Sequence, residues 1–245
     1  MPDELRLVPS PVFLLSPIRS GSTLLRCILG SHPAIHAPHE LHLGGLEVHS
    51  DDEFTDLSLR TLRLSPQDLR HLLWDRLLHR QLAASGRRIL VEKSPGNVFI
   101  QPELLACWPE ARFLVLRRHP VAIAASIVRA GDAQDLDEAA LIVDKFAGAL
   151  ETAAANSPGA ADVTYEELTA APESTCRRLC DVLDIPWDPN MLDYGRQDHG
   201  PFVYGIGDWS EQIRSGHVQA PTPLPADNRW PDLLRDWAQR WGYGA

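Results

Sequence analysis

The sequence has no apolar stretch that approaches the roughly 18 residues needed to cross a bilayer. At its start, the acidic segment "MPDELRLVPSP" stands where a signal peptide would carry basic residues before an apolar run. These two absences predict a cytoplasmic protein without a membrane partner. The 245 residues, 44% of them hydrophobic, suffice for one sizeable core, so a single domain over residues 1–245 is expected.

Basic residues and cysteine pairs are also scarce. The chain has 23 Lys and Arg against 33 Asp and Glu, a net charge of −10, which disfavours nucleic acid as a partner. Any anion site must therefore be formed by a few local arginines against an unfavourable overall field. The four cysteines form no C-x-x-C pair, and Cys176 and Cys180 have the spacing of one helix face, so a reduced protein is expected.

The acidic segment 44–60, of mixed composition, is typical of a surface loop. Elsewhere, short apolar runs alternate with segments of helical spacing. This alternation predicts a three-layer α/β fold with a central parallel sheet flanked by helices. The predicted strands cover 11–16, 87–93, 111–118 and 161–168, and the predicted helices cover 22–31, 66–84, 120–130, 137–155, 172–184 and 230–241.

The stretch "FLLSPIRSGSTLL" reads as a strand, a tight turn and the start of a helix, an arrangement whose free amides and helix dipole bind anions. A nucleotide-triphosphate loop would carry Gly at Ser16 and Lys at Ser22, whereas the cation here is Arg19. A site for magnesium-ATP is therefore disfavoured. From this loop alone, a polar turn in which Ser20 or Ser22 caps the helix remains an equal alternative.

Four histidines and a glutamate within "HPAIHAPHELHL" are residue types that could form a metal site. However, "HELH" is not H-E-x-x-H, which places two histidines one helical turn apart, and two prolines interrupt any regular helix. No metal is therefore expected.

Five segments in order along the chain resemble sulfotransferases that use 3′-phosphoadenosine 5′-phosphosulfate (PAPS). "SPIRSGSTLL" (16–25) resembles their 5′-phosphosulfate loop, and "FLVLRRHPVAIAAS" (113–126) resembles their 3′-phosphate segment. "LVEKSP" (90–95), the Y-E-x-L segment from Tyr165 and "GIGDW" (205–209) are similar to three further motifs. The pattern is nearest to the branch of protein-tyrosine and bacterial small-molecule sulfotransferases.

This resemblance implies a P-loop-like fold, PAPS as the cofactor and adenosine 3′,5′-bisphosphate as the product. Arg118 and Ser126 would hold the 3′-phosphate, and the spacing to Ser126 favours Arg118 over Arg117. The 5′ and 3′ ends are expected in two separate pockets. The implied cofactor-binding residues are Arg19, Ser20, Gly21, Ser22, Thr23, Leu24, Arg118, Ser126, Tyr165, Gly205 and Gly207.

The implied reaction transfers a sulfuryl group to a hydroxyl or amine of a small-molecule acceptor, such as a secondary metabolite. Arg19 and Lys93 would stabilise the developing charge, and Glu40 would be the general base. His39 or His42 is the alternative base, since an ordinary histidine titrates near neutral pH. The alternative function is an ATP-dependent kinase on the same architecture, and the oligomeric state stays open.

The chain departs from the family pattern before "GIGDW", where basic residues that contact the 3′-phosphate are missing. The 3′-phosphate would instead have to be contacted by the backbone at 205–207, by Arg129 or by Arg214. Tyr204 and Trp209 are candidates for packing on adenine or lining the acceptor pocket. The rest of that pocket is expected from the loops at 44–60 and 190–205.

Overall fold

Five parallel strands form one sheet in the part of the chain that the computed structural model describes, residues 6–203, 205–208, 210–221, 223–225 and 229–244. The order across the sheet is β2-β3-β1-β4-β5. The strands are β1 (Val12–Leu15), β2 (Ile35–His36), β3 (Ile89–Glu92), β4 (Arg112–Arg117) and β5 (Ala161–Thr164).

The helices of the described residues are α1 (Ser22–Gly30), α2 (Glu53–Thr61), α3 (Pro66–Ser85), α4 (Asn97–Cys107), α5 (Pro120–Ala130), α6 (Leu136–Ala155), α7 (Tyr165–Ala170), α8 (Pro172–Val182), α9 (Glu211–Arg214) and α10 (Asp232–Arg240). Helices α1, α3, α5, α6, α8 and α10 follow the predicted segments. The strand predicted over 161–168 ends at Thr164, because Thr164 caps α7. The sequence also missed α2, α9, the two-residue strand β2 and α4, which contains Pro102. An interior proline argues against a helix, and two residues show no periodicity.

The side chains of β1 show how the sheet separates two cores. Val12 and Leu14 pack on one face with α1 and α8, while Phe13 and Leu15 pack on the other face with α3, α4 and α6. This alternation is the period of two that a strand imposes, and it buries all four residues completely. The helices therefore cover both faces, and the predicted three-layer α/β fold is confirmed. Cys176 and Cys180 lie in the first core, as predicted.

The sheet order gathers the candidate residues at one edge. Strand β1 lies between β3 and β4, and all pairings are parallel, so the carboxyl ends of these strands meet. The turn at 16–21, Lys93 and Arg118 each follow one of these three ends. Such a position, outside the carboxyl ends near a change of strand order, is where open α/β sheets bind ligands. No helix among the described residues combines the length and apolarity needed to span a bilayer.

Truncating a core leucine tests the layer arrangement. Leu14 is fully buried, whereas Leu141 on α6 is 64% exposed. We expect Leu14→Ala to lower the free energy of unfolding by about 2–5 kcal/mol, because it removes buried methyl groups and leaves a cavity. The matched Leu141→Ala should change it by less than about 0.5 kcal/mol. Urea denaturation measures both, and equal effects would contradict the arrangement.

Candidate active site

A cavity of about 610 Å³ opens at the carboxyl edge of the sheet. It is bordered by most of the residues that the sequence selects: Arg19, Gly21, Ser22, Thr23, Leu24, Glu40, His42, Arg118, Ser126, Tyr165, Gly205 and Gly207. Lys93 lies beneath this lining and contacts it through Thr23 and Glu40. Ser20 and His39 do not border the cavity.

The turn after β1 leaves the start of α1 open to the cavity. Gly21 is the residue before α1 and has a φ of 89°, while Arg19 has a φ of 57°, so both lie in the left-handed region. Ser20 Oγ donates to the carbonyl of Pro17 at 2.8 Å, which secures the turn. No side chain caps α1 within the described chain, so neither Ser20 nor Ser22 plays that role. The first amides of α1 are left for an anion.

Tyr165, the first residue of α7, packs directly on this turn. A Cβ at Gly21 would lie 2.3 Å from Cδ2 of Tyr165, so only glycine fits beneath the ring. The ring also contacts the Arg118 guanidinium, whose carbon lies 4.1 Å from the ring centroid. Tyr165 therefore packs against both the turn and Arg118.

Arg118 and Ser126 lie against the Arg19 turn and border the same cavity, so the two pockets expected for opposite ends of one ligand are adjacent. Arg118 Nη1 donates to the carbonyl of Arg19 at 3.0 Å, and Arg19 Nε donates to Ser126 Oγ at 3.2 Å. Parallel strands β1 and β4 are direct neighbours, and that adjacency brings the two segments into contact. Arg118 Nε is buried and has no hydrogen-bond partner among the described residues.

Arg117 points elsewhere. Its guanidinium pairs with Glu151 at 2.9 Å and with Asp162. Because adjacent strand residues face opposite sides of a sheet, only one of the two arginines can face the cavity.

Lys93 is almost completely buried beneath the cavity lining. Its ammonium pairs with Glu40 and donates to Thr23 Oγ1 at 3.2 Å, and the residue is 1% exposed. Burial lowers the pKa of Lys93 below its usual range, because a buried ammonium loses its water. The carboxylates of Glu40 and Glu92 oppose that shift.

The two candidate histidines differ in position. His42 Nε2 lies 3.3 Å from Glu40 Oε2 and donates to the carbonyl of Gly205 at 2.6 Å. His39 Nδ1 instead donates to the backbone carbonyl of Glu40 at 3.0 Å, outside the cavity. Across the described ranges, no three His, Cys, Asp or Glu side chains are arranged to hold a metal ion.

The segment after 190 folds back over the site, which the sequence indicates only in part. The amide of Glu40 donates to the carbonyl of Ile206 at 3.3 Å, and the amide of Asp208 donates to Thr23 Oγ1 at 3.1 Å. Asp208 also lies 3.8 Å from Arg19 Nη1. Tyr194, in the loop 190–205 expected to line the pocket, and Asp208, in the "GIGDW" motif, border the cavity. Residues that border it without having been predicted are Ser210, Gln212, Ile213, His217 and Gln219, which no motif in the sequence marks.

The remaining candidate residues differ in whether they border the cavity. Arg129, one turn after Ser126 on α5, borders the cavity, whereas Arg214 donates to the carbonyl of Phe202 and does not. The loop at 44–60, all of it described, contributes nothing to the cavity lining. Tyr204 and Trp209 lie outside the described residues.

Comparison with known proteins agrees with this geometry. A family model described as "Sulfotransferase family" matches residues 11–189. Nodulation protein NoeE of Sinorhizobium fredii is 33% identical over 131 residues, 49% of this chain and 31% of that protein. Protein-tyrosine sulfotransferase A of Caenorhabditis elegans is 24% identical over 199 residues, 75% of this chain and 52% of that protein. The chain thus spans about a third to a half of the length of these relatives.

The fold also matches a solved structure, the sulfotransferase domain from the Synechococcus PCC 7002 olefin synthase. The TM-score is 0.68 at 22% identity, and the match covers 96% of this chain and 95% of that domain. At 22% sequence identity, this match shows that the two proteins share a fold.

The contact between Gly21 and Tyr165 can be tested by a mutant cycle. We expect Gly21→Ala to destabilise the protein by at least about 1–3 kcal/mol, because an alanine is strained at positive φ and would collide with the ring. In a Tyr165→Ala background the collision is gone, so the same substitution should cost less. Gly96→Ala, at φ −63° with open space around the new methyl group, is the control. An equal cost in both backgrounds, measured by urea denaturation, would refute the packing.

Proposed function

The chain belongs to the sulfotransferase family, and we propose that it transfers the sulfuryl group of PAPS to a hydroxyl or amine of a small-molecule acceptor. We propose further that residues 1–245 act as one sulfotransferase domain. The observation that carries the proposal is the contact of the Arg19 turn with Arg118 and Ser126, directly beside the buried pair of Lys93 and Glu40.

The cavity has the donors that PAPS requires at both of its anionic ends. The uncapped start of α1 and Arg19 suit the 5′-phosphosulfate, while Arg118 and Ser126 suit the 3′-phosphate. The volume of about 610 Å³ falls within the roughly 300–1,000 Å³ typical of small-molecule sites. When bound, PAPS supplies an activated sulfuryl group.

Arg129 is the residue best suited to replace the missing basic residues near the carboxyl end. It borders the cavity one helical turn after Ser126, and residues three apart on a helix share a face. Arg214 is engaged with a backbone carbonyl outside the cavity. We therefore assign the additional 3′-phosphate contact to Arg129.

Lys93 would stabilise the negative charge that develops on the bridging phosphate oxygen as the sulfuryl group leaves it. Its ammonium reaches Thr23 Oγ1, on the same loop that is proposed to hold the phosphosulfate. Its burial strengthens any interaction with a nearby oxyanion, because little water competes. In the ligand-free site this ammonium is balanced by Glu40.

Glu40 is the proposed general base. One oxygen pairs with Lys93 and the other lies 3.3 Å from His42 Nε2, so the carboxylate is held at the cavity wall between two side chains. It would accept the proton of the acceptor hydroxyl or amine as the new bond to sulfur forms. His42, the alternative base, borders the same cavity and contacts Glu40, which is consistent with a role in orienting that carboxylate.

Transfer from ³⁵S-labelled PAPS to a panel of phenols, sugars, amines and nucleosides tests the function. We expect labelled product with at least one acceptor, and we expect Glu40→Gln to lower kcat by about 10²–10⁴-fold, the usual contribution of a general base. Glu47→Gln, at a carboxylate paired with His49 outside the cavity, is the control and should retain activity. Full activity of Glu40→Gln would rule out Glu40 as the base. Phosphoryl transfer from magnesium-ATP, with no transfer from PAPS, would instead favour a kinase.

The two adjacent arginines of β4 give a matched pair for cofactor binding. We expect Arg118→Ala to weaken binding of adenosine 3′,5′-bisphosphate by about ten- to a hundred-fold, because each hydrogen bond to a charged group contributes about 1.5–3 kcal/mol. Arg117→Ala should leave the Kd within about twofold, since that side chain pairs with Glu151 and Asp162. Isothermal titration calorimetry measures both values. The reverse order would show that the wrong arginine has been assigned.

A further inference from the structure

Consecutive residues at the end of β3 carry opposite charges on opposite faces of the sheet. Leu90 and Val91 belong to different cores, so Glu92 continues the face of Leu90 and Lys93 continues the face of Val91. Glu92 is fully buried, at 0% exposure. Burial raises the pKa of Glu92, because a buried carboxylate loses its water, whereas hydrogen bonds from Asn97, Ser94 and Leu41 and the charge of Lys93 oppose that shift and favour the carboxylate.

Glu92 is bonded both to the loop that carries Glu40 and to residues that follow β3. Glu92 Oε1 accepts from the amide of Leu41 at 3.2 Å and from Ser94 Oγ at 2.7 Å. Ser94 Oγ itself accepts from the amide of His42 at 2.9 Å, so both residues that follow Glu40 are tied to Glu92. The second oxygen, Oε2, accepts from Asn97 Nδ2 at 2.5 Å.

We propose that Glu92 is a positioning residue of the active site, which fixes the loop carrying the base and supplies a second negative charge beside the Lys93 ammonium. The strand end thereby holds the loop from both faces of the sheet. Glu92 holds the backbone of Leu41, while Lys93 holds the side chain of Glu40. The inference rests on the proposed function, because positioning has meaning only if Glu40 and Lys93 take part in the reaction.

The charge of Glu92 matters because Lys93 is buried among groups of both signs. Glu40 and Glu92 favour its ammonium form, whereas Arg26 on α1 disfavours it, and the Cys27 thiol lies nearby. Burial already lowers the pKa of Lys93, so losing one of the two carboxylates lowers that pKa further. Lys93 would then lose its proton, and the enzyme its activity, at a lower pH.

Two substitutions separate geometry from charge. Glu92→Asp keeps the charge, but its side chain is one methylene too short to reach the amide of Leu41. We therefore expect kcat to fall by about tenfold, the effect of losing roughly one hydrogen bond. The alkaline limb of the pH profile should stay unchanged. Glu92→Gln keeps an acceptor oxygen but removes the charge, so the alkaline limb should move to lower pH. Both variants should bind adenosine 3′,5′-bisphosphate with a Kd within about threefold of the wild type, because Glu92 touches no cofactor-binding residue.

The measurements are pH profiles of kcat and calorimetric Kd values for the wild type, both variants and Glu103→Gln, a control at a carboxylate paired with Arg70 on the surface. Unchanged kcat and pH limbs in both variants would overturn the proposal, as would a loss of bisphosphate binding as large as the loss of kcat. If Glu92→Gln does not fold, Ser94→Ala, which cuts the link from His42 to Glu92, must reproduce the tenfold loss of kcat. An inactive wild type that does not bind the bisphosphate would refute the proposed function instead.

Discussion

One hydrogen bond, from Arg118 to the backbone carbonyl of Arg19, holds the two segments proposed to bind anions together. It joins the turn after β1 to the end of β4, and Tyr165 packs against both Gly21 and Arg118. The Arg19 side chain completes the contact by reaching Ser126. Because strands β1 and β4 pair directly, the rigid sheet sets this separation rather than a mobile loop. A ligand with two anionic ends is the kind of molecule that such a site selects.

The chemistry proposed for the site follows from how its buried charges are balanced. The protein is acidic overall, yet one edge of its sheet gathers Arg19, Lys93 and Arg118. Lys93 is too deeply buried to stay charged without a partner, and the carboxylates that compensate it, Glu40 and Glu92, come from two different segments. The proposed base and the proposed leaving-group cation are therefore one ion pair in the ligand-free site. Binding and reaction must redistribute that pair, which accounts for the expected sensitivity to pH.

Local patterns in the sequence predicted much of this arrangement, and long-range folding determined the rest. The turn at 16–21 and the pair of Arg118 and Ser126 each lie within a short strand–turn–helix segment, so the family resemblance could be recognised from local sequence. Their contact with one another could not be predicted, since it depends on the pairing of β1 with β4. Helix α4 was missed because Pro102 argues against a helix. Glu92 was not singled out from the sequence, because a polar residue commonly ends an apolar strand. Its role depends on the loop at 40–42, which folds onto it only in the tertiary structure.

Calorimetric binding of four adenine nucleotides tests the central claim, that a single cavity holds both anionic ends of one ligand. We expect adenosine 3′,5′-bisphosphate to bind at least about ten times more tightly than the 5′-monophosphate or the 3′-monophosphate, since each missing phosphate removes charged hydrogen bonds of about 1.5–3 kcal/mol. Its binding should not require magnesium, and magnesium-ATP should bind more weakly. Equal affinity for either monophosphate, or tighter binding of magnesium-ATP, would contradict the account.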